Sequence, residues 1–193
     1  MIKNAIQLAA SVVFLVALSG LFAPRATAKA KTPNIVLIMV DDLGAECIGA
    51  YGGTSYETPR IDSLAAQGMR FENAFSMPLC GPTRACILSG RYPFRSGVAG
   101  NQGVMGFTEP WGRGKTPEIT FAHVMKKQGY ATAIAGKWAL CKFDISPDHV
   151  RECGFDHYRM WPKIYGGKQT HRYWAPDRFE DGTFHPRAEG VFG

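Results

Sequence analysis

Apolar and polar positions alternate along the chain with a period that changes from segment to segment. The run Asn34–Val40 is almost continuously apolar and rich in β-branched residues, which is typical of a strand buried on both faces of a parallel sheet. Thr58 and Pro59 provide an N-cap and a first helical residue for an apolar face that continues to Gln67. These patterns predict a buried strand over 34–40 and a helix over Pro59–Gln67.

The middle of the chain carries weaker signals of the same two kinds. A short alternating run predicts a strand over Met69–Phe75, and a short helix is predicted over Ala85–Leu88, ended by Gly90. The glycine-rich stretch Gly97–Lys115 has no apolar period and is predicted to be a surface loop. A second helix is expected over Ile119–Gln128, because its apolar residues recur at helical spacing and two lysines precede a glycine at its end.

A further apolar run, Tyr130–Ala135, predicts another buried strand that ends at Gly136-Lys137-Trp138. Strands that alternate with helices indicate an α/β fold with a mainly parallel central sheet flanked by helices. After Asp156 the chain is expected to be loop-like. The ligand site of a parallel sheet lies beyond the carboxyl ends of its strands, so polar groups that follow the strands are candidates for function.

Composition indicates a globular protein that is exported. The chain has 193 residues, and its 46% of hydrophobic residues exclude a disordered chain. Its formal charge of +6, which becomes +4 without residues 1–28, gives no argument for a nucleic acid partner. Residues 1–28 combine a charged start, an apolar middle and the small-x-small tripeptide Ala26-Thr27-Ala28, so they are expected to be a signal peptide that the export machinery removes. A transmembrane anchor is the alternative interpretation. The mature protein, 29–193, would be periplasmic or secreted.

Two adjacent carboxylates, Asp41 and Asp42, directly follow the first apolar run. At the edge of a sheet they repel each other unless a cation is bound, and a hard divalent ion with oxygen ligands is the natural partner. The alternative is a solvated loop in which Asp42 caps the following turn.

Cysteines are the second candidate for chemistry. Five remain after residue 28, so at least one lies outside any disulfide within the chain. They are Cys47, Cys80, Cys86, Cys141 and Cys153. Cys80 stands beside the start of a predicted helix, where backbone amides and the helix dipole stabilise negative charge, and Arg84 one turn later can bind an anionic oxyacid.

The stretch from Cys80 to Arg91 resembles the signature of the type I sulfatases, which is CxPxR followed by a short helix and a Leu-Ser/Thr-Gly-Arg ending. The neighbouring segments agree with this family in order and spacing. They are Pro33-Asn34-Ile35, Asp41-Asp42-Leu43-Gly44, Thr58-Pro59-Arg60-Ile61-Asp62, Gly129-Tyr130 and Gly136-Lys137-Trp138. The resemblance, from about Thr32 to Asp156, implies that residues 29–193 are the N-terminal part of a sulfatase catalytic domain with an alkaline-phosphatase-like fold, here incomplete.

The resemblance also implies roles for single residues. Cys80 would be oxidised by a formylglycine-generating enzyme to Cα-formylglycine, whose hydrated aldehyde is the nucleophile. Asp41, Asp42 and the modified Cys80 would bind calcium. Arg84 would stabilise the hydrated aldehyde, and Lys137 would contact the sulfate. The implied reaction is hydrolysis of a sulfate ester on an aryl compound or a sulfated carbohydrate.

One position departs from the family pattern, which is usually Gly-Lys-Trp-His-x-Gly. Ala139 stands where the histidine that assists at the formylglycine hydroxyl is expected, and His171 and His185 are the candidates to replace it. Aromatic residues later in the chain are candidates either for stacking on sugar rings or for packing in a core. They are Trp161, Tyr165, Tyr173 and Trp174.

Two other functions are compatible with the same residues. A phosphonate or phosphate ester hydrolase of this superfamily can use the same CxPxR signature. A truncated, inactive chain would instead bind at most an anion or a metal.

Overall fold

The structure of the protein is a computed structural model that describes residues 32–100 and 118–187. Residues 1–31, with the expected signal peptide, and residues 101–117, with most of the expected glycine-rich loop, lie outside these ranges. In the described ranges, no helix has the length and apolar character needed to cross a membrane. The chain divides into two units, Met1–Val40 and Asp41–Gly193.

The predicted buried strand over 34–40 is not present. Residues 32–40 have no regular secondary structure, and Val36 is 81% exposed. A strand buried on both faces needs neighbouring strands for its hydrogen bonds and other layers over its faces. The described part of this unit consists of residues 32–40 alone and contains no such neighbour.

The first helix of the second unit, α1, spans Pro59–Gln67, which confirms the prediction from the sequence. Gly68 is its C-cap. The side chain of Asp62, in its first turn, accepts hydrogen bonds from the Ala50 amide at 2.7 Å and from the Thr58 hydroxyl at 3.0 Å. The helix is therefore fastened to the 3-10 turn Gly49–Tyr51 that precedes it.

The predicted strand over Met69–Phe75 is not formed. The segment has no regular secondary structure, and Phe75 is 95% exposed. Arg70 instead bonds to the carboxylate of Glu72 and to the carbonyl of Ala50. A short alternating run becomes a strand only where a ladder partner exists, and none pairs with it in the described ranges.

The next helix, α2, spans Cys80–Ser89 and is followed by the short helix α3, Pro93–Ser96. The sequence placed the first of these over Ala85–Leu88, so it begins five residues earlier than predicted. Gly90 ends α2 as expected, because a left-handed φ of 66° is required there and glycine adopts it without strain.

Helix α4 spans Phe121–Lys127, within the range predicted from the sequence, and helix α5 spans His149–Glu152. The Thr120 amide donates to His123 Nδ1 at 3.1 Å, and the Thr120 hydroxyl donates to the Cys153 carbonyl at 2.5 Å. Since Nδ1 accepts, the ring proton is on Nε2, which donates to the Glu152 carbonyl at 3.0 Å. The N-terminal cap of α4 therefore also holds the end of α5.

The main sheet has the strand order β1-β2-β5-β6. Its members are β1 Ala133–Lys137, β2 His157–Trp161, β5 Arg178–Glu180 and β6 Thr183–His185, and a separate hairpin consists of β3 Ile164–Tyr165 and β4 Lys168–Gln169. β1 and β2 are parallel, with Lys137 in register with Trp161, and the other pairs are antiparallel. The predicted strand over 130–135 is confirmed with a shift of a few residues.

The expectation of a loop-like chain after Asp156 was wrong. Tyr158 and Met160 are buried while His157 and Arg159 are exposed, so β2 carries a period of two that the aromatic and charged composition of this region obscured. The turn that follows β1 supplies much of the core. The large buried side chains of this core include Trp138, Leu140 and Phe143 from the turn, and Val150, Phe155 and Phe179 from later in the chain. No disulfide joins the five cysteines, all of which lie in the described ranges.

Candidate active site

The candidate site is built on Lys137, the last residue of β1. Its Nζ donates to Asp41 Oδ2 at 2.5 Å, across 96 residues of sequence. Its backbone carbonyl accepts a hydrogen bond from Arg84 Nη1, also at 2.5 Å. Arg84 Nη2 lies 3.9 Å from Asp41 Oδ1. Lys137 therefore connects the loop after the first apolar run with helix α2.

Helix α2 brings Cys80 and Arg84 to the same place. Cys80 is its first residue, and Gly81 and Pro82 directly after it are buried. The Cys80 side chain interacts with the Lys137 ammonium, and its thiolate form would be attracted by Arg84 as well. The four predicted residues Asp41, Cys80, Arg84 and Lys137 thus form one cluster.

The electrostatics of the cluster favour an added anion. The hydrogen bond from Lys137 lowers the pKa of Asp41, opposed by burial and helped by the charges of Lys137, Arg84 and Arg172. Burial lowers the pKa of Arg84, while burial of Lys137 is outweighed by its hydrogen bonds to Asp41 and Cys80, so that its pKa is raised. Two cations therefore share a single close carboxylate, and the surplus charge is positive.

Arg84 also has an unused donor. Its Nε is buried and has no hydrogen-bond acceptor in the described part of the chain. A buried N–H without a partner costs free energy comparable to a lost hydrogen bond, about 1 to 3 kcal/mol. An oxygen of a bound oxyacid would satisfy this donor, so the cluster has both the charge and a directed hydrogen-bond donor for such a ligand.

Asp42 lies next to this cluster in sequence but is not part of it. The residue is exposed, has a left-handed φ of 57°, and makes no hydrogen bond or ion pair with other described residues. The described ranges contain no group of three or more His, Cys, Asp or Glu side chains that could hold a metal ion. Carboxylate oxygens are what calcium prefers, but Asp41 and Asp42 are too few for its usual six to eight ligands.

Neither histidine proposed to replace the residue missing at Ala139 is bonded to the cluster. His171 Nδ1 lies 3.0 Å from Asp177 Oδ2, and His185 belongs to β6. Ala139 itself has a left-handed φ of 57° and lines a small cavity together with Lys137 and Trp161. The described residues therefore supply no histidine at this position.

The aromatic candidates separate into two groups. Tyr165 stacks on Phe184 with ring centroids 4.0 Å apart, which is a packing role. Tyr173 and Trp174 are 73% and 75% exposed.

Sequence reasoning missed two residues near the site. Arg172 is close enough for its charge to lower the pKa of Asp41, and the Asp177 carboxylate accepts the backbone amides of His171 and Arg187 at 2.6 and 2.7 Å. Neither residue belongs to a motif or an apolar period. Only the tertiary structure brings them to this region.

Comparison with known proteins places the chain in a family. The family model described as Sulfatase matches residues 33–173, which is well over half of the chain. The chain belongs to the sulfatase family. The predicted resemblance is thereby confirmed.

Named sulfatases match the same region. Steryl-sulfatase of Homo sapiens is 48% identical over 114 residues, which are 58% of this chain and 20% of that protein. The N-acetylglucosamine-6-O-sulfatase of Bacteroides thetaiotaomicron is 35% identical over 153 residues, which are 79% of this chain and 24% of that protein. The chain thus spans about a fifth to a quarter of the length of these curated sulfatases.

Solved structures confirm the fold class. One is the structure of a protein in complex with its substrate D-glucosamine-2-N,6-O-disulfate. This structure matches the chain with a TM-score of 0.61 and 32% sequence identity, and the match covers 80% of this chain and 28% of that one. The mixed sheet and its helices are therefore a part of the alkaline-phosphatase-like fold of sulfatases.

Proposed function

We propose that this sulfatase chain carries the nucleophile and the sulfate-binding cations of an enzyme that hydrolyses sulfate esters. The observation that carries the proposal is the convergence of Asp41, Cys80, Arg84 and Lys137 from three distant segments. A nucleophile beside two cations and an unsatisfied N–H is the arrangement that attack on an anionic ester requires.

Each residue of the cluster then has a physical role. Lys137 Nζ and the free donor of Arg84 hold sulfate oxygens and stabilise the negative charge that develops as the ester bond breaks. Asp41 keeps the lysine protonated and fixes its direction through their ion pair. The hydrogen bond from Arg84 to the Lys137 carbonyl fixes the distance between helix α2 and the end of β1.

Cys80 is the proposed site of formylglycine, formed by a formylglycine-generating enzyme. When present, this group supplies a hydrated aldehyde, in which one hydroxyl attacks sulfur and the other allows sulfate to be released afterwards. The position of Cys80 at the first residue of a helix of ten residues supports the assignment, because helical amides and two cations there stabilise an oxyanion.

Asp41, Asp42 and the modified Cys80 are the proposed protein ligands of calcium, which would act as a Lewis acid on sulfate oxygens when bound. Calcium binding by the described residues is expected to be weak, because Asp41 is paired with Lys137 and Asp42 is the one further carboxylate of this loop. Other oxygen ligands, including water, must complete the shell.

The proposed substrate class is a sulfated sugar or a small aryl sulfate. Support for the sugar comes from the relative named as an N-acetylglucosamine-6-O-sulfatase and from the similar structure with a disulfated glucosamine. The exposed Tyr173 and Trp174 are available for stacking on a sugar ring. Removal of residues 1–28 during export to the periplasm or the exterior is part of the same proposal.

Variants of Cys80 test the proposed function in the polypeptide that carries this chain, exported from a host with the maturation enzyme. Sulfate release from an aryl sulfate and from glucosamine-6-sulfate should be abolished by Cys80→Ala and retained by Cys86→Ala, a cysteine of the same helix. Cys80→Ser should stop after one turnover with a sulfate bound, visible in its intact mass, since serine lacks the second hydroxyl.

Peptide mass spectrometry should find the thiol-to-aldehyde conversion at Cys80 and at no other cysteine, and chelation of calcium should lower turnover. Normal multiple turnover by Cys80→Ser would overturn the formylglycine mechanism. Faster hydrolysis of a phosphate ester than of the sulfate ester would move the assignment to the related phosphate ester hydrolases.

A further inference from the structure

Arg172 is held beside the candidate site by two aromatic rings. Its guanidinium carbon lies 4.9 Å from the centroid of the Trp161 ring and 5.1 Å from that of Tyr173. Stacking of this kind restricts a long side chain without using its N–H donors. Arg172 forms no ion pair within the described ranges.

The position of Trp161 places this arginine next to the proposed sulfate-binding lysine. Trp161 and Lys137 are register partners in the parallel strands β2 and β1. Neighbouring strands lie about 4.8 Å apart, and register partners point to the same face of a sheet. Trp161 lines both the small cavity beside Lys137 and the larger cavity beside Arg172, so a ligand with two anionic groups would reach from one cation to the other across this ring.

Trp161 also has an unsatisfied donor of its own. Its indole N–H is buried and has no acceptor in the part of the chain that the structure describes. Trp161, Arg172 and Gly136, the neighbour of Lys137, line a cavity of about 590 Å³, within the range of small-molecule sites. Arg172 and the indole ring that carries this N–H thus line the same cavity.

The other arginines of this cavity share one ion-pair partner. Arg159 and Arg178 each place Nε 3.3 Å from Glu180 Oε2. The carboxylate of Asp177, the acidic residue of the wall, accepts hydrogen bonds from the backbone amides of His171 and Arg187. Among the described residues of the cavity, Arg172 is the arginine without an ion pair.

We propose that Arg172, stacked on Trp161, binds a second anionic group of the substrate, so that the site prefers a sugar with two sulfates over one with a single sulfate. The planar guanidinium can bind two oxygens of a sulfate in parallel, and the Trp161 N–H adds a third hydrogen bond. This inference rests on the proposed sulfatase function and names the substrate class of the same site.

The test measures dissociation constants by calorimetry in a Cys80→Ala background, where neither probe is cleaved. The probes are D-glucosamine-2-N,6-O-disulfate and D-glucosamine-6-O-sulfate. The disulfate should bind at least about 10-fold more tightly, and Arg172→Ala should weaken it by about 10- to 100-fold while leaving the monosulfate nearly unchanged. Arg172→Lys should retain part of the preference, because it keeps the charge and loses the planar fork.

Three further variants separate the possible outcomes. Arg95→Ala removes another stacked arginine, 5.9 Å from the Phe94 ring, and should alter neither dissociation constant. Trp161→Phe keeps a ring under Arg172 but removes the N–H, and should weaken the disulfate alone. Lys137→Ala should weaken both probes, because it removes the contact they share.

Retention of the disulfate preference by Arg172→Ala would overturn the inference. Equal affinity of the two probes for the protein that keeps Arg172 would also overturn it. If Lys137→Ala still weakens both probes in that case, the proposed function stands. If Lys137→Ala weakens neither probe, or if neither binds, the sulfate-binding role of Lys137 fails and the inference fails with it.

Discussion

Lys137 is held at both ends, by Asp41 at its ammonium and by Arg84 at its carbonyl. A lysine on a four-carbon stem is usually mobile, and placing it costs side-chain entropy of about 1.5 to 2 kcal/mol. Because both the backbone carbonyl and the ammonium group are fixed by hydrogen bonds, this entropy is lost on folding and is not lost again when a ligand binds. Such preorganisation is what stabilisation of a developing negative charge requires.

Ala139 offers a test of the missing histidine. The position has a φ of 57°, where histidine is several-fold more frequent than most residues other than glycine, so Ala139→His should fold without added strain. We expect the substitution to raise the rate of sulfate release in single-turnover kinetics, since the imidazole can accept a proton next to Lys137. Ala139→Gln, which cannot move a proton, is the control, and an equal gain for both would refute a proton-transfer role.

Asp156 predicts how stability depends on pH. The hydrogen bond from Lys126, at 2.7 Å, and then the Thr132 amide lower the pKa of Asp156 to about 2. A carboxyl with a lowered folded-state pKa stabilises the protein above its unfolded value, 3.8, and this contribution is lost as the pH falls through about 2.

Asp156→Asn should therefore flatten the loss of stability between pH 4 and 2, measured as the midpoint of thermal unfolding. Glu57→Gln is the matched control, because Glu57 is exposed and makes no hydrogen bond or ion pair with described residues. If both variants change the pH dependence equally, Asp156 is not its source.

The sequence allowed the principal residues of the site to be predicted, but not their contacts. Cys80 and Arg84 stood in a signature and Lys137 at the end of a strand that forms, so their convergence followed from the expected fold. Asp41 joins them although the strand predicted before it is not formed. Arg172 could not be found in this way, because stacking on Trp161 depends on where two loops meet and leaves no period in the sequence.

Helix α4 shows how one cap can join two elements. The Thr120 hydroxyl donates a hydrogen bond to the Cys153 carbonyl, and the Thr120 amide donates one to His123 Nδ1. The other ring nitrogen of His123 is bonded to the Glu152 carbonyl. Loss of an N-cap side chain costs about 0.5 to 2 kcal/mol, and Thr120 is 1% exposed, so its hydroxyl also satisfies a buried carbonyl.

Thr120→Ala should consequently lower the free energy of unfolding by about 2 kcal/mol, towards the upper end for an N-cap. Urea unfolding followed by circular dichroism would measure the change. The control is Thr54→Ala, an exposed threonine outside any helix, which should change it by less than about 0.5 kcal/mol. Equal effects of the two substitutions would contradict the capping role.

Helices α1 and α4 were predicted well and the strands poorly, for one physical reason. A helix satisfies its backbone within a few residues, so Thr58, Pro59 and Gly68 mark α1 locally. A strand needs a partner that is distant in sequence, and residues 34–40 and 69–75 have none in the described ranges. Residues 133–137 have such a partner in β2 and form a strand.

At the scale of the whole molecule, the described part of the first unit, residues 32–40, carries exposed apolar side chains. Ile35, Val36, Leu37, Ile38 and Val40 are each more than half exposed. A run of apolar, β-branched residues without charge is a recognised site of association between chains. We expect residues 1–193, purified by themselves, to self-associate at micromolar concentration through this segment.

The double variant Val36→Lys with Ile38→Lys should shift the sedimentation coefficient towards the monomer. Thr32→Lys with Asn34→Lys adds the same charge without removing apolar surface, and it should have a smaller effect. If the two double variants shift the sedimentation coefficient equally, the effect comes from net charge, and association through the apolar run is contradicted.

The bond from Arg84 to the Lys137 carbonyl has a consequence in time. The arginine precedes its acceptor by 53 residues, and a chain made at about 5 to 20 residues per second needs roughly 3 to 10 seconds to add them. Cys80 therefore leaves the ribosome tunnel seconds before Lys137, the residue with which its side chain interacts, and Gly81 and Pro82 are not yet buried by later parts of the chain. For the proposed modification of Cys80, the maturation enzyme would bind the extended backbone most readily within those seconds, and a change that speeds folding of the first half of the chain would then lower the yield of modified protein.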